Sequence, residues 1–260
     1  MTFTKDALAG QHIVISGGVG ALGTGIVKKL TEHGAKMTVN DIRPTDEALD
    51  HLAVAGINTE NIQYVQADLT QKSGVEHLMQ QAIEKFGDIH TALCHAGMVT
   101  TVKLIDVDVD EWDTVMAVNV RAAMLLAQVS VRQMIAQQIK GQVIFTSSWV
   151  SETPWPEIGP YHSSKAAMNQ MMRGFARELA PEGIRANAIA PGIVGAGMAK
   201  KQWDTDPEYQ ARAAKAIPLG YLQPVDSVAD AFLFMCSPAA TYMTGSVMFV
   251  DGGCSLYPMD

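Results

Sequence analysis

The chain has little cysteine. Its three residues, Cys94, Cys236 and Cys254, are odd in number and widely spaced. They form neither a zinc pattern nor a disulfide framework, which points to a reducing compartment, the cytoplasm, and to small buried hydrophobes. Basic charge is also short: 19 Lys and Arg against 27 Asp and Glu leave a net charge of −8. That balance argues against a nucleic-acid surface, and the four tryptophans stand apart from any basic stripe. No apolar run approaches the roughly 20 residues that span a bilayer. The opening MTFTKDALAGQ lacks the apolar core of a signal peptide. Internal repeats, linkers, low-complexity tracts and metal-ligand spacings are absent too.

What remains is a chain of 260 residues, enough for one α/β domain with a full core. Gln11 to Ser16 reads as a short buried strand. Gly17, Gly18, Gly20 and Gly23 follow it, and then Leu22, Ile26, Val27 and Leu30 recur at helical spacing. Strand, glycine turn and helix together make a place where backbone amides hold a pyrophosphate; alone, they also describe a plain tight turn. A second strand, Lys36 to Asn40, runs into Asp41-Ile42. A carboxylate there accepts both hydroxyls of an adenosine ribose and repels a 2′-phosphate, favouring NAD over NADP, or it merely caps the turn before Pro44. A third strand, Ile62 to Gln66, ends at Asp68-Leu69, where the carboxylate reads equally as an adenine acceptor or as a helix cap. A fourth, Ile89 to Cys94, ends in His95-Ala96-Gly97, whose small residues allow close backbone approach; His95 reads as structural or as an acid/base group.

Asp110 to Ile139 is the longest helical pattern, apolar on more than one face, with Asn119 its odd polar residue. Asn119 either satisfies backbone or holds a water in an active site. Val143 to Phe145 forms a fifth strand that ends near Ser148. A helix from Tyr161 to Leu179 follows, and Tyr161-x-x-x-Lys165 places phenol and ammonium on one face. By itself that pair also fits an ordinary amphipathic helix. Ile184 to Ala190 is a sixth strand, ending in Pro191-Gly192-Ile193-Val194. Residues 195–220 break the rhythm, as a lid over a substrate does. A last helix ends at Cys236, and Ser246 to Val250 is the seventh strand. The alternation predicts an α/β class, one doubly wound seven-stranded parallel sheet forming a single Rossmann-type domain over 1–260.

These residues together resemble the short-chain dehydrogenase/reductase family along essentially the whole chain. Its glycine motif Thr-Gly-x-x-x-Gly-x-Gly corresponds to Ser16 through Gly23, with Ala21 for the middle glycine and Leu22 beside it. Its Asn-Asn-Ala-Gly corresponds to Cys94-His95-Ala96-Gly97, so the bonds that brace that strand end must differ. Asn119, Ser148, Tyr161 and Lys165 match its catalytic tetrad. Pro191-Gly192 matches its nicotinamide-side turn, although the usual threonine beyond it is Ala196.

The resemblance implies hydride transfer between a nicotinamide and a secondary alcohol or carbonyl, with NAD as cofactor. Tyr161 would be the acid/base. Lys165 would lower its pKa and hold ribose hydroxyls. Ser148 would polarise the substrate oxygen, and Asn119 would hold a water. Trp149, Glu152, Trp155, Glu157 and His162, with Met198 and Trp203 of the lid, are the candidate substrate contacts. Aromatics with carboxylates suit a sugar or polyol, and Pro154-Trp155-Pro156 with Leu256-Tyr257-Pro258 look like glucose 1-dehydrogenase-type members. A reductase of 3-oxoacyl or other keto substrates is the alternative, and a nucleotide-binding regulator without turnover is the alternative of another class. By family analogy a homotetramer pairs helices 110–139 and 161–179.

Overall fold

A computed structural model describes residues 3–256; Tyr257 and Pro258 lie outside the described residues. Seven parallel strands form one sheet in the order β3-β2-β1-β4-β5-β6-β7. In chain order the elements are β1 (His12–Ser16), α1 (Gly23–Glu32), β2 (Lys36–Asp41), α2 (Thr45–Val54), β3 (Ile62–Gln66), α3 (Lys72–Phe86) and β4 (Thr91–Cys94). Next come α4 (Val109–Met116), α5 (Ala122–Ala136), β5 (Gln142–Thr146), α6 (Gly159–Leu179) and β6 (Arg185–Pro191). The chain closes with α7 (Gly197–Thr205), α8 (Pro207–Ala216), α9 (Val225–Cys236) and β7 (Val247–Val250).

The central strands β1, β4 and β5 are buried throughout because both faces of the sheet are covered there. Successive side chains alternate between the faces. Ile13 and Ile15 of β1, Leu93 and Ile144 pack with α1, α2 and α9. Val14, Ala92, Val143 and Phe145 pack on the other face with α3, α5 and α6. A third, smaller core lies outside this sandwich: Trp149, Trp155, Ile193, Tyr209 and Ala213 pack together where α8 meets the segment after β5. All three cysteines are buried and free. The strand order reverses between β1 and β4, and a crevice forms at the carboxyl ends of the strands there.

The predicted helix 110–139 departs from one regular rod. A π turn, Ala117–Arg121, separates α4 from α5, and the helix stops early, with Gln138 just beyond it in the left-handed region at φ 59°. Val109–Ala136 is nonetheless long and apolar enough to cross a membrane by composition, with mean hydropathy 1.5 in its most apolar window. The expectation that no apolar run comes near that length is corrected here. Asn119, Arg121 and Arg132 break up the run when it is read letter by letter, but they leave the average high. In the fold Ala123, Leu126, Ala127 and Met134 of this helix pack into the core. The break in rhythm at 195–220 is two helices, α7 and α8.

Candidate active site

The crevice is a cleft of about 1040 Å³, near the top of the usual ~300–1,000 Å³ range for small-molecule sites. Its floor is the β1–α1 turn, with Gly17, Gly20, Ala21 and Leu22 in the wall. Gly17 has φ +69°, and a Cβ there would sit 2.8 Å from Ala96 Cα. Only glycine allows this turn and that approach together. Helix α1 begins without a side-chain cap and without an acidic residue in its first turn. Its positive dipole end is therefore left for an anion. Gly23 stays out of the wall; it packs on Gly17 and Gly18, where a Cβ would come within 2.3 Å of the Gly17 carbonyl. The Ala21 methyl abuts the start of α7, 3.3 Å from where a Cβ on Gly197 would stand.

Asp41, Ile42, Asp68 and Leu69 line the far end of the cleft. Asp41 Oδ1 accepts from the amides of Ile42 (2.9 Å) and Arg43 (3.3 Å). The turn-capping role of Asp41 thus coexists with its place in the wall. Asp68 Oδ1 likewise accepts from the Thr70 amide at 2.9 Å and hydroxyl at 2.7 Å. It caps the turn ahead of α3, whose own N-cap position is Gln71.

His95, Ala96 and Gly97 form the middle of the wall. Ser16 Oγ accepts from the amides of His95 and Ala96, each at 3.0 Å. His95 Nδ1 bonds to Thr146 Oγ1 at 3.0 Å. Ser16 and Thr146 brace this strand end where the family uses asparagines. Burial, aided by the Lys165 charge, pushes the His95 pKa down to about 4. The imidazole is therefore neutral near pH 7, which favours its structural reading. Gly192 and Val194 complete the cleft on the β6 side. A Cβ on Gly192 would stand 2.7 Å from Asp251 Cα, and its amide donates to Gln223 Oε1 at 2.8 Å. Pro191 ends β6 outside the wall, and Ile193 turns instead into a second, smaller cavity.

That cavity, about 160 Å³, adjoins the first: Tyr161, Gly192, Val194 and Met198 line both. Ser148 lines the smaller one and Lys165 the larger. β5 delivers Ser148 just past its end, and Pro160 in the first turn of α6 fixes the helix that carries Tyr161 and Lys165. Lys165 is buried and donates to the Thr146 carbonyl at 2.7 Å, with Nζ 5.4 Å from the Tyr161 ring centre. Burial pushes its pKa down to about 8. Burial pushes the Tyr161 phenol up, and a hydrogen bond from Ser148 opposes this. Lys165 is not among the groups that shift the phenol in the chain alone. Loss of water around the phenolate dominates, and Ser148 supplies the counterweight.

Asn119 takes the backbone-satisfying one of its two readings. It is fully buried, and both amide atoms are engaged. Oδ1 accepts from the Met98 amide at 2.8 Å, and Nδ2 donates to the Met98 carbonyl and Ser164 Oγ, each at 2.9 Å. Its side chain faces neither cavity and ties the π turn to the strand-end loop and to α6.

Of the candidate substrate contacts, Trp149, Trp155 and Met198 line the small cavity. Glu152, Glu157, His162 and Trp203 do not. Glu152 is exposed, and Glu157, at φ 66°, uses its carbonyl to bond the Val102 amide at 2.7 Å. His162, next to Tyr161 on α6, is half-buried outside both walls, and Trp203 packs against the third core. Seven residues of the small cavity's wall went unrecognised in the sequence: Val99, Thr101, Val150, Ile158, Ala199, Gln202 and Tyr209. Only Tyr209 carried a signal, as an aromatic in the segment that breaks the rhythm. Trp149, Trp155 and Tyr209 stack edge to face, with ring centres 5.5 and 6.0 Å apart. Such pairs each contribute about 0.5–1.5 kcal/mol beyond their buried area, so this wall is rigid.

Glycine turn, uncapped helix, the Asp41 carboxylate in the cleft wall and a Ser-Tyr-Lys group at the junction of two cavities fit a nicotinamide dinucleotide beside a small substrate. A family model described as enoyl-(acyl carrier protein) reductase matches residues 17–255. The chain is 28% identical over 253 residues to glucose 1-dehydrogenase of Gluconobacter oxydans (strain 621H), covering 97% of this chain and 95% of that one. It is 29% identical over 259 residues to 3beta-hydroxysteroid dehydrogenase 1 of Eggerthella lenta, covering 97% of each. Among solved structures it resembles 3-ketoacyl-(acyl-carrier-protein) reductase from Brucella melitensis complexed with NADH. The TM-score is 0.85 at 26% identity, over 96% of this chain and 100% of that one. The chain belongs to the short-chain dehydrogenase/reductase family, oxidoreductases that bind a nicotinamide cofactor.

Proposed function

We propose that this protein interconverts a secondary alcohol and a carbonyl with NAD(H), and that Tyr161 moves the proton. The observation that carries this is the position of Tyr161, in the wall shared by the two cavities, with Ser148 on one side and Lys165 on the other. When bound, the nicotinamide takes or supplies the hydride and, in its oxidised form, adds a positive charge. Tyr161 gives a proton to the carbonyl oxygen in reduction and takes one from the alcohol in oxidation. Ser148 donates to the same oxygen and holds it against the phenol. Lys165, fixed on the Thr146 carbonyl, keeps two donors for ribose hydroxyls. Asn119 positions: it holds the Met98 loop and Ser164, hence the start of α6.

NAD is preferred to NADP in this reading because the Asp41 carboxylate stands in the cleft wall, where a 2′-phosphate would meet its charge. A keto substrate moves ahead of a sugar or polyol, because the carboxylates and imidazole that would bind hydroxyls lie outside the small cavity. The names of the relatives span a sugar, a steroid and a ketoacyl thioester, so membership of the family leaves this choice to the pocket. A homotetramer through α4–α5 and α6 remains part of the proposal. It is supported by the apolar helix Val109–Ala136, whose most apolar window is only 44% buried within one chain. Light scattering showing a monomer overturns that part.

Tyr161→Phe tests the core of the proposal. Turnover is expected to fall by at least about 10²-fold, the usual worth of a positioned acid/base, while NADH binding, read by fluorescence, is retained. Turnover close to that of the parent protein overturns the assignment.

A further inference from the structure

The wall of the small cavity contains no charged residue. We infer that the substrate places there an uncharged, apolar ring about the size of one six-membered ring, which carries the reacting carbonyl or secondary alcohol. This deepens the oxidoreductase reading above and rests on it.

Size comes first. The cavity holds about 160 Å³, and an apolar cavity of about 150 Å³ takes one benzene. Trp155 and Tyr209 fix the limit, because their rings are packed edge to face and Trp155 is packed again on Trp149. Polarity comes second. Most of the wall is apolar, and Val99, Val150, Trp155, Ile158 and Ile193 belong to it. Ser148 and Tyr161 are committed to the reacting oxygen. Thr101, Gln202, the Tyr209 hydroxyl and the indole N–H groups of Trp149 and Trp155 are the other side-chain polar groups in the wall. A ring with a hydroxyl on every carbon brings more donors and acceptors than these can meet, and each unmatched group weakens binding.

Charge comes third. The Arg212 guanidinium lies over the Trp155 ring, 4.9 Å from its centre, and is not part of the wall. Its Nε is buried without a hydrogen-bond partner. This makes a carboxylate-bearing ring the rival occupant, drawn to Arg212 by a shift of the indole.

Three alcohols on one scaffold separate these cases: cyclohexanol, myo-inositol and 4-hydroxycyclohexanecarboxylate, each assayed for NAD⁺ reduction and for binding by thermal shift with NAD⁺ present. The kcat/KM for cyclohexanol is expected to exceed that for myo-inositol by at least roughly 100-fold, the discrimination an apolar pocket shows against a single added hydroxyl. The carboxylate should fall between the two or below both. Equal or better use of myo-inositol or of the carboxylate overturns the inference, as does the absence of both turnover and binding with cyclohexanol. Binding of cyclohexanol without turnover, together with no turnover of any of the three, sustains the pocket assignment and overturns the oxidoreductase reading instead. Trp155→Leu is expected to shift preference at least tenfold toward a two-ring alcohol, 2-decalol, relative to cyclohexanol. An unchanged ratio in that folded variant overturns the role given to Trp155.

Discussion

The two cavities that meet at Tyr161 are built by different means. The larger one is made of strand ends and the turns that follow them: β1, β2, β3, β4 and β6 each contribute the residues just past their carboxyl ends. The sheet fixes those positions by hydrogen bonding, and Thr114, Val118, Arg121, Lys165 and Met198 from the helices complete the wall. The smaller one is made of side chains from the segment after β5 and from α7 and α8, held by a separate aromatic core. Its shape depends on how large side chains pack, which a single substitution alters. A cofactor common to a family suits the first kind of wall, and a substrate that differs between relatives suits the second.

The widest separation of the two halves is expected from Gly17→Ala. At φ +69°, with a Cβ placed 2.8 Å from Ala96 Cα, the alanine is strained and crowded at once. The strain costs about 1–3 kcal/mol, and the turn must move away from the pyrophosphate. NADH affinity should fall by more than about tenfold, whereas the relative order of alcohols at saturating cofactor should stay the same. A changed order would show that the halves are not independent. A smaller effect is expected at Asp41. Asp41→Asn should shift the NADP-to-NAD ratio of kcat/KM upward by roughly tenfold, about 1.4 kcal/mol, without changing KM for the alcohol. No shift would remove the carboxylate from the proposal.

The mildest test acts on the shared wall. Burial raises the Tyr161 phenol, so it is protonated at neutral pH and ready to donate. The kcat/KM for reduction should therefore stay flat across neutral pH, while that for oxidation climbs as pH rises, by at most about tenfold per pH unit. Oxidation that is level across that range would mean that the phenolate is already formed.

The cofactor half was legible in the sequence because its grammar is local. Strand, glycine and helix are contiguous at Ser16 to Leu30, and Asp41 follows its strand directly. The exceptions are instructive. Gly23, Pro191 and Ile193 belong to the right turns, but they pack inward or face the other cavity. The substrate half was legible only in part. Glu152, Glu157 and His162 are near Tyr161 in the chain, yet between Ser148 and Gly159 there is neither helix nor strand of length to fix a periodicity. Side-chain direction in such a segment follows from contacts with remote residues. Tyr209 and Trp155 are an example, because they meet across more than one element.

By itself, the sequence determined the seven-stranded parallel sheet and the glycine turn, because short-range hydrogen-bonding patterns and hydrophobic periodicity encode them; Ser148, Tyr161 and Lys165 stood out only through the family resemblance. Only the tertiary structure decided that Asn119 braces Met98 and Ser164 instead of facing the cleft. It also decided that burial raises the Tyr161 phenol against the Ser148 hydrogen bond, and that the smaller cavity has an uncharged wall. Each of these depends on which distant groups share a low-dielectric space with a side chain, and that is set by packing across the fold.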